Sequence, residues 1–364
     1  MKDKEDNNTV KPKVAITGRK IKVALVGCGR ISKNHLEAIT HLPEEAELVA
    51  VCDLVKERAD AASEQYGAEA YYDYDLMLEK VDCDLVSIAT PSGLHPEMGI
   101  KAAEKGKHVL TEKPMGINIE SADRLIRACE EAGVMLFVVK QNRLNTTMQL
   151  LKKAIEKNRF GKIYAAHVNV FWQRPQEYYD AASWRGTHAM DGGAFMNQAS
   201  HYVDSLYWLL GDVVEVAAFT DTMAREIEGE DTGSAILRFK SGAIASINVT
   251  MLTYPKNFEG SVTVLGEKGT VKIGGVAINK IEHWDFASYD DDDRIVEQSN
   301  YNPPNVYGFG HYPYYQNVFA ALRNDSEPET DGVSGRKSLE IIEAIYKSAE
   351  TSQCIKLPLV VRNR

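Results

Sequence analysis

The 364-residue chain has few cysteines, no long hydrophobic run and a deficit of positive charge. Its five cysteines are widely separated and lack the spacing of metal ligands, which predicts reduced thiols in a cytoplasmic protein rather than a disulfide framework. The histidines do not cluster along the chain either, so we expect no metal site. No apolar stretch is as long as a membrane span, and the charged N-terminus, MKDKEDNN, lacks the apolar segment of a secretory signal.

The charge balance limits the class of partner. The chain carries 42 Lys and Arg against 52 Asp and Glu, a formal net charge of -10 at pH 7. This negative field repels phosphate groups, so neither a nucleic acid nor an anionic membrane is an expected partner. A small anionic substrate would require a local group of cations, for which the candidates are Lys140, Arg143, Arg174 and Arg185.

The first part of the chain alternates short apolar runs with sequences that are typical of helices. Residues 1–20 are charged and polar, and we expect them to form a mobile tail. The apolar runs lie at 21–27, 47–53, 85–90, 108–114 and 135–142. Asn118 and Gly133 are suited to begin and end one of the helices between them. This alternation predicts a doubly wound parallel sheet, covered on both faces, over residues 21–142.

Beyond about residue 160 the pattern changes. Segments such as SAILRFK and AIASINVTM alternate apolar and polar residues, and glycine-containing turns separate them. They predict a second α/β domain, residues 143–364, with an open, mostly antiparallel sheet that has one covered face. The acidic run 290–293 is interpreted as a solvated loop. Whether the C-terminal segment returns to the first domain stays open, and helices are expected at about 194–210, 312–323 and 335–350.

A glycine-rich turn lies directly after the first strand. Its residues are Gly27, Cys28, Gly29, Arg30, Ile31 and Ser32. Gly27 permits a tight turn, and Gly29 allows a pyrophosphate to approach the N-terminus of the following helix. Asp53 ends the second strand 24 residues after Gly29, where a carboxylate can accept hydrogen bonds from ribose hydroxyls. Because Asp53 would repel a 2′-phosphate and no arginine is adjacent to it, this Rossmann-type motif predicts NAD rather than NADP.

Two further strand ends carry polar residues. Thr90, Pro91 and His95 follow one strand, and Glu112 and Lys113 follow the next. Ligands of open α/β sheets bind at this edge, which makes these residues candidates for the site. Lys113 precedes a proline, which favours an extended backbone. The alternative for Lys113 is an ordinary surface lysine at a turn.

The helix expected near residue 194 has one polar arc. The residues of this arc are Asn197, Gln198, His201, Asp204, Ser205 and Trp208. The arc contains no Lys, Arg or Glu, so lining a cleft and facing solvent are both open interpretations. Asn197 and His201 are four residues apart and project side by side. The segment 305–311, rich in glycine and aromatic residues and ending at His311, reads equally as a turn or a binding loop.

These motifs, with Trp184-Arg185 and the glycines before His201, resemble the Gfo/Idh/MocA oxidoreductase family from about residue 21 to the C-terminus. The resemblance implies NAD, oxidation of a CH–OH group of a sugar, and a homodimer or homotetramer held by the antiparallel sheet. It places Lys113 and His201 beside the nicotinamide and the reacting carbon. Many members have Asp at the position of Asn197, so a relay through that carboxylate is not carried over. The implied cofactor-binding residues are Gly27, Gly29, Arg30, Ile31, Asp53, Thr90, Pro91, His95, Glu112, Lys113, Gln141, Trp184 and Arg185.

Within the family, the segments 173–176, 184–187 and 191–194 resemble a branch that oxidises C3 of UDP-N-acetylglucosaminuronic acid for bacterial surface polysaccharide, such as lipopolysaccharide. Arginine suits such a substrate, because it can bind a pyrophosphate or a carboxylate with two hydrogen bonds. The implied substrate-binding residues are Lys113, Arg143, Arg185, Thr187, Asn197, Gln198, His201 and His311.

The implied reaction transfers a hydride from C3 to NAD while a base removes the proton of the C3 hydroxyl. His201 is the preferred base, because the pKa of imidazole is near neutrality, and Lys113 then polarises the oxygen; the reverse assignment stays open. The branch often recycles its bound cofactor with 2-oxoglutarate. Two alternatives remain: a dehydrogenase of a free polyol or sugar such as inositol, and a non-catalytic NAD-binding sensor.

Overall fold

The computed structural model describes residues 15–302 and 308–359. Residues 21–138 form a six-stranded sheet with helices between its strands. The elements are β1 (Ile21–Val26), α1 (Ser32–Thr40), β2 (Ala46–Cys52), α2 (Lys56–Tyr66), β3 (Glu69–Tyr71), α3 (Tyr74–Lys80), β4 (Leu85–Ile88), α4 (His95–Glu104), β5 (His108–Thr111), α5 (Ile119–Ala132) and β6 (Leu136–Val138). The strands lie in the order β3-β2-β1-β4-β5-β6, and every pair is parallel. The predicted doubly wound parallel sheet is confirmed.

The central strand β1 shows why both faces of this sheet are apolar. Successive side chains of a strand point to opposite faces. Val23 and Leu25 accordingly pack in the cluster that contains Leu36 of α1. Ala24 and Val26 pack in a second cluster, with residues of α4 and α5. Because helices cover both faces, the strand reads as a continuous apolar run rather than as an alternating one.

The predicted ends of α5 are confirmed. The Asn118 side chain accepts a hydrogen bond from the Ser121 N–H at 2.8 Å, which satisfies one of the unpaired donors of the first turn. Gly133 ends the helix with φ 66°, a left-handed conformation that favours glycine. These local signals set the length of the helix that packs against α4 beside the first sheet.

The second sheet has eight strands. The further elements are α6 (Thr146–Glu156), β7 (Ile163–Phe171), α7 (Gln176–Asp180), a π-helix (Ala194–Gln198), α8 (Ser200–Leu210), β8 (Val213–Asp221), β9 (Thr232–Phe239), β10 (Ile244–Thr250), β11 (Glu259–Gly266), β12 (Gly269–Gly274), β13 (Lys280–Phe286), α9 (Val296–Ser299), α10 (His311–Leu322), α11 (Gly332–Thr351) and β14 (Ile355–Lys356). Their order in the sheet is β13-β12-β11-β7-β10-β9-β8-β14. Only the β7–β10 pair is parallel within the described part, so the mostly antiparallel sheet is confirmed.

One face of the second sheet is covered and the other is open. Helices α8 and α11 pack against β7 and β8, while the side chains of Phe219 and Ile236 on the opposite face are exposed. This arrangement explains the alternation of apolar and polar residues that is visible in β9 and β10. The hairpin β12–β13 is missed by the sequence pattern because β13, KIEHWDF, is largely charged or polar.

Three local expectations are wrong. The extended segment 135–142 ends as a strand at Val138, and Gln141–Leu144 forms a 3₁₀ turn. The helix expected over 194–210 is interrupted, because a π-helix precedes α8. The acidic run 290–293 is not a solvated loop: it enters a short 3₁₀ helix, and its carboxylates form ion pairs with the cations Lys153, Lys157 and Arg159.

The start of the described chain and parts of the last two helices pack beside the first sheet, whereas the final strand, β14, pairs with β8 of the second sheet. Ile16 is buried, and its N–H donates to the Leu322 carbonyl oxygen at 3.0 Å. The predicted tail is therefore wrong for residues 15–20, while residues 1–14 lie outside the described part. Helix α10 packs against α1, and α11 packs against α5 and β6. The C-terminal segment thus contacts both parts, and residues 305–307 of the candidate loop 305–311 lie outside the described part of the chain.

Among the described residues, no helix combines the length and the apolar character that crossing a membrane would require.

Candidate active site

A cleft of about 760 Å³ opens at the carboxyl ends of β1, β2, β4 and β5, and residues 178–197 form its other wall. Parallel strands end together at one edge of a sheet, which is why turns far apart in the chain meet here. Most of the expected cofactor-binding residues line this cleft. They are Gly27, Gly29, Arg30, Ile31, Asp53, Thr90, Pro91, His95, Glu112, Lys113, Trp184 and Arg185, and Asn197 joins them.

The glycine turn after β1 leaves room for a ligand to approach its backbone closely. Gly27 has φ 93°, and a Cβ there would lie 2.6 Å from the Ala89 carbonyl, so both conformation and space require glycine. A Cβ at Gly29 would meet no protein atom within 4 Å, so nothing in the protein itself excludes a side chain at this position. Gly29 lines the cleft, and a group that approaches from the cleft is what a side chain would obstruct. This cradle fits the pyrophosphate of a dinucleotide.

Asp53 is held at the end of β2 by two backbone donors. Its Oδ2 accepts from the Cys28 N–H and its Oδ1 from the Val55 N–H, each at 2.8 Å. The carboxylate is thereby fixed beside the glycine turn. Arg58 also lines the cleft and is missed by the sequence motif, because it lies in the first turn of α2 rather than next to Asp53.

His95 and Glu112 brace the strand ends. The ring nitrogens of His95 lie 2.8 Å from the Pro114 carbonyl oxygen and 2.9 Å from the Thr90 carbonyl oxygen, which joins two turns of the cleft. Glu112 Oε1 lies 3.0 Å from His35 Nε2, and Glu112 Oε2 accepts from the Lys113 N–H at 3.0 Å. Burial would raise the pKa of Glu112, but the side chains of His311 and His35 hold it well below its usual range.

The histidines that are far apart in sequence do meet in space. Ligand atoms of His35, Glu112 and His311 lie within 4.8 Å of one another, a proximity that the separation of these residues along the chain does not indicate. His35 Nδ1 lies 2.8 Å from the Tyr315 hydroxyl, and Glu112 bridges the two imidazoles at 3.0 and 3.5 Å. Glu112 and His35 thus form a hydrogen-bonded support next to Lys113, whereas neither ring nitrogen of His311 has a hydrogen-bond partner among the described residues.

Lys113, in the turn after β5, lines the cleft, whereas His201, in α8, is buried and is not among the residues that line it. Lys113 Nζ donates to the Asn197 carbonyl oxygen at 2.8 Å. Burial lowers the pKa of the Lys113 amine, and the carboxylates of Glu112 and Asp191 oppose that change. Burial, followed by the charges of Lys113 and Lys140, holds the pKa of His201 well below its usual range.

The partner of His201 is Gln141. Gln141 Nε2 lies 3.2 Å from His201 Nε2, which marks that nitrogen as the acceptor and places the ring proton on Nδ1. Within the described residues, His201 Nδ1 and Gln141 Oε1 are buried without a hydrogen-bond partner. Gln141 therefore lies against the imidazole of His201 and is not among the residues that line the cleft.

Arg143 is not in the cleft wall. It is buried, and its guanidinium binds both carboxylate oxygens of Asp204 at 2.8 Å. Lys140 Nζ lies 3.8 Å from Asp204, and burial lowers the pKa of Lys140 to about 8. The group of cations expected on the sequence is therefore divided: Lys140 and Arg143 are neutralised in part by Asp204, and Arg185 lines the cleft.

The remaining candidates have internal partners. Gln198 accepts from Arg174 Nε at 3.0 Å and donates to the Tyr178 hydroxyl at 3.1 Å. The Thr187 hydroxyl donates to the Trp184 carbonyl oxygen at 2.7 Å. The Arg185 guanidinium lies over the Tyr178 ring, 4.3 Å from its centroid. Tyr178, which no sequence motif indicated as a cleft residue, thus lines the cleft and contacts both Gln198 and Arg185.

The side chains of Glu230 and Tyr346 hold the π-helix that carries Asn197. Glu230 Oε1 accepts from the Phe195 N–H at 2.7 Å, and the Tyr346 hydroxyl accepts from the Met196 N–H at 3.1 Å. A Cβ at Gly193 would lie 1.6 Å from Glu230 Oε2, so a side chain there would displace the carboxylate that holds this helix. Burial raises the pKa of Glu230 to about 7.

Comparison with known proteins gives matches along nearly the whole described chain. Residues 21–140 match the family model described as the oxidoreductase family, NAD-binding Rossmann fold (GFO_IDH_MocA). Residues 152–357 match the C-terminal alpha/beta domain of the same family. The D-apiose dehydrogenase of Paraburkholderia graminis is 28% identical, covering 94% of this chain and 91% of that protein.

Two solved structures are more similar. The WlbA dehydrogenase of Bordetella pertussis, in complex with NADH and UDP-GlcNAcA, is 57% identical, with a TM-score of 0.92 over 94% of this chain and 99% of that chain. The WlbA dehydrogenase of Chromobacterium violaceum, with the same two ligands, is 52% identical, with a TM-score of 0.91 over 95% of this chain and 99% of that chain.

Proposed function

The chain belongs to the Gfo/Idh/MocA oxidoreductase family, and from this premise we propose that it oxidises the C3 hydroxyl of UDP-linked N-acetylglucosaminuronic acid to the 3-keto sugar with NAD. The observation that carries the proposal is the 57% identity, over 94% of the chain, to a dehydrogenase solved with NADH and UDP-GlcNAcA. The cleft supports it, because it joins a dinucleotide cradle to a wall that carries Lys113 and Asn197.

NAD fits the residues present. The glycine turn would hold the pyrophosphate, Asp53 would accept from the ribose hydroxyls, and Trp184 and Arg185 would cover the cofactor from the opposite wall. When bound, NAD supplies the hydride acceptor for the sugar carbon. The protein's own contribution is to place the two reactants and to manage the proton of the hydroxyl.

We assign to His201 the removal of the proton from the C3 hydroxyl. Its lowered pKa keeps the imidazole neutral, and the Gln141 contact identifies Nε2 as the basic nitrogen, which would exchange the Gln141 amide for the sugar hydroxyl. Lys113 lines the cleft and would stabilise the alkoxide charge that develops on the sugar oxygen. Because the pKa of the Lys113 amine is also lowered, the opposite assignment of the two roles remains the alternative to test.

The test compares Lys113→Ala and His201→Ala in single-turnover reduction of NAD. Loss of a general base or of its electrostatic partner typically costs about 10²- to 10⁴-fold in rate. We expect each variant to fall in that range while its cofactor affinity stays near that of the parent. Full retention of the rate in both variants would contradict the assignment.

The substrate class is tested by thermal-shift measurements with UDP, UDP-sugars, inositol and free sugars, each with NAD present. We expect UDP-GlcNAcA to stabilise the protein most. Stabilisation by inositol but not by UDP-sugars would favour a polyol dehydrogenase, and binding without turnover would favour the NAD-binding sensor.

Four further properties belong to this proposal. The open face of the second sheet, with Phe219, Ile236 and Ile244 exposed, supports a homodimer or homotetramer, which sedimentation can measure. The domain boundaries are proposed at 21–142 and 143–364. Recycling of the cofactor by 2-oxoglutarate would leave NADH bound between turnovers. The 3-keto product would enter the synthesis of a surface polysaccharide.

A further inference from the structure

A buried carboxylate lies behind the cleft wall, outside the roles assigned above. Asp191 is 3% exposed and follows a turn in which its N–H donates to the Thr187 carbonyl oxygen at 3.1 Å. Its Oδ2 accepts from the Gly186 N–H at 2.7 Å. Its Oδ1 accepts from the side-chain amide of Asn197. One carboxylate thus joins the segment that carries Trp184 and Arg185 to the π-helix.

The contact with Asp191 decides how the Asn197 amide is oriented. A carboxylate can only accept hydrogen bonds, so the amide atom that faces it must be the Nδ2 donor. Asn197 lines the cleft, and its carbonyl oxygen on the backbone already accepts from Lys113. The Oδ1 atom is the polar atom of the side chain that Asp191 leaves available. A reversed amide would bring two acceptors together and lose the contact.

We propose that Asp191 is a positioning residue, which orients Asn197 so that its Oδ1 accepts a hydrogen bond from a hydroxyl or amide N–H of the sugar. The inference rests on the proposed function, since it requires a sugar in the cleft. It makes Asn197 selective for a donor at the position that it faces. A sugar with only an acceptor there would be rejected, because the buried oxygen would lose its partner.

The arrangement also couples this acceptor to Lys113. The Lys113 amine is bound to the backbone oxygen of the residue whose side chain Asp191 holds. A displacement of Asn197 would therefore move the partner of the amine as well as the acceptor for the sugar. We expect Asp191 to affect the turnover number and not only the binding of substrate.

The experiment is a double-mutant cycle with Asp191→Asn and Asn197→Ala, measured with UDP-GlcNAcA and NAD. We expect each single variant to lose at least about tenfold in kcat/KM and the double variant to lose no more than the worse single variant, because Asp191 acts through Asn197. The affinity for NAD and the melting temperature report folding and the cofactor site separately. A structural role alone would give additive losses and a lowered melting temperature.

A charge exchange provides the rescue. In the double variant Asp191→Asn, Asn197→Asp, the new asparagine can accept from the Gly186 N–H and donate to the new carboxylate, which again presents an oxygen to the cleft. We expect it to recover at least about tenfold in kcat/KM over the single variant Asn197→Asp, which places two carboxylates in contact.

The outcomes separate this inference from the proposed function. Normal kinetics of Asp191→Asn in an active parent would overturn the inference and leave the function intact. If the parent does not oxidise UDP-GlcNAcA, the proposed function fails. The same cycle is then measured with the polyol or sugar that the parent does oxidise, because any hydroxyl donor needs the same acceptor, and additive losses there would again overturn the inference.

Discussion

On the cofactor side of the cleft, the turns after β1, β2, β4 and β5, the candidate residues follow strands directly and line the cleft, although His95 and Glu112 are buried and have protein partners. On the substrate side, residues 140–143, 187–204 and 311, the candidates are mostly buried and bound to one another. Asp53 accepts from two backbone donors, one of them in the turn after the adjacent strand β1, whereas Arg143 depends on the side chain of Asp204 from α8. Strand-end turns present residues to a ligand, whereas the second wall is built from long-range polar pairs.

The largest expected difference between the two sides concerns two arginines. Arg143→Ala leaves the buried Asp204 without its main partner, and breaking a buried pair typically costs about 3–5 kcal/mol in the free energy of unfolding. Arg185→Ala, in the cleft wall, should change that free energy by less than about 1 kcal/mol but weaken ligand binding. Denaturant unfolding of both variants is the measurement.

A second change tests whether Arg143 touches substrate, as the family resemblance implies. The double variant Arg143→Leu, Asp204→Leu removes both charges and should be more stable than Arg143→Ala. If Arg143→Ala unfolds normally and only the KM for the UDP-sugar rises, then the guanidinium serves the substrate and the contrast drawn between the two sides is incorrect.

Replacing Glu230, which accepts a hydrogen bond from the π-helix, should change the free energy of unfolding by an intermediate amount. Its pKa is raised from 4.5 in the unfolded chain to about 7, so the folded protein binds more protons between these values and loses stability as the pH rises through that window. This difference in the pKa of Glu230 contributes at most about 3 kcal/mol to the free energy of unfolding. Relative to the parent, Glu230→Gln should therefore gain unfolding free energy from pH 5 to pH 8.

The control for Glu230 is Glu226→Gln, which removes an exposed carboxylate from the same loop. The measurement is the free energy of unfolding at several pH values. A difference between Glu230→Gln and the parent that stays constant with pH would mean that the Glu230 carboxyl does not titrate in this window.

The smallest expected effect on stability is at Gly29. Gly29→Ala meets no protein atom, so the free energy of unfolding should stay within about 0.5 kcal/mol of the parent. The affinity for NAD should fall at least about tenfold, which is about 1.4 kcal/mol, because the methyl group projects into the cradle. Gly27→Ala is the matched comparison, and it should lose both stability and affinity. Unchanged NAD binding by Gly29→Ala would place the pyrophosphate elsewhere.

Local sequence signals were sufficient for much of the fold and for one side of the cleft. The parallel strands, the Asn118 and Gly133 helix ends and the glycine turn each depend on residues close together in the chain. The same signals failed at β13, where charge hides the strand pattern, and at residues 194–198, where a π-helix replaces regular helix. Whether a polar residue faces a ligand or an internal partner depends on residues distant in sequence.

The sequence by itself determined the order of most elements, the dinucleotide turn and the place of Lys113 at a strand end, because these follow from short-range patterns. The roles of Lys113 and His201 came from the family resemblance. Only the tertiary structure decided that His35 and His311 meet at Glu112, that Arg143 is committed to Asp204, and that Asp191 orients Asn197. The physical reason is that a buried polar group must find its partner wherever packing brings one within hydrogen-bond distance, and no local pattern records that choice.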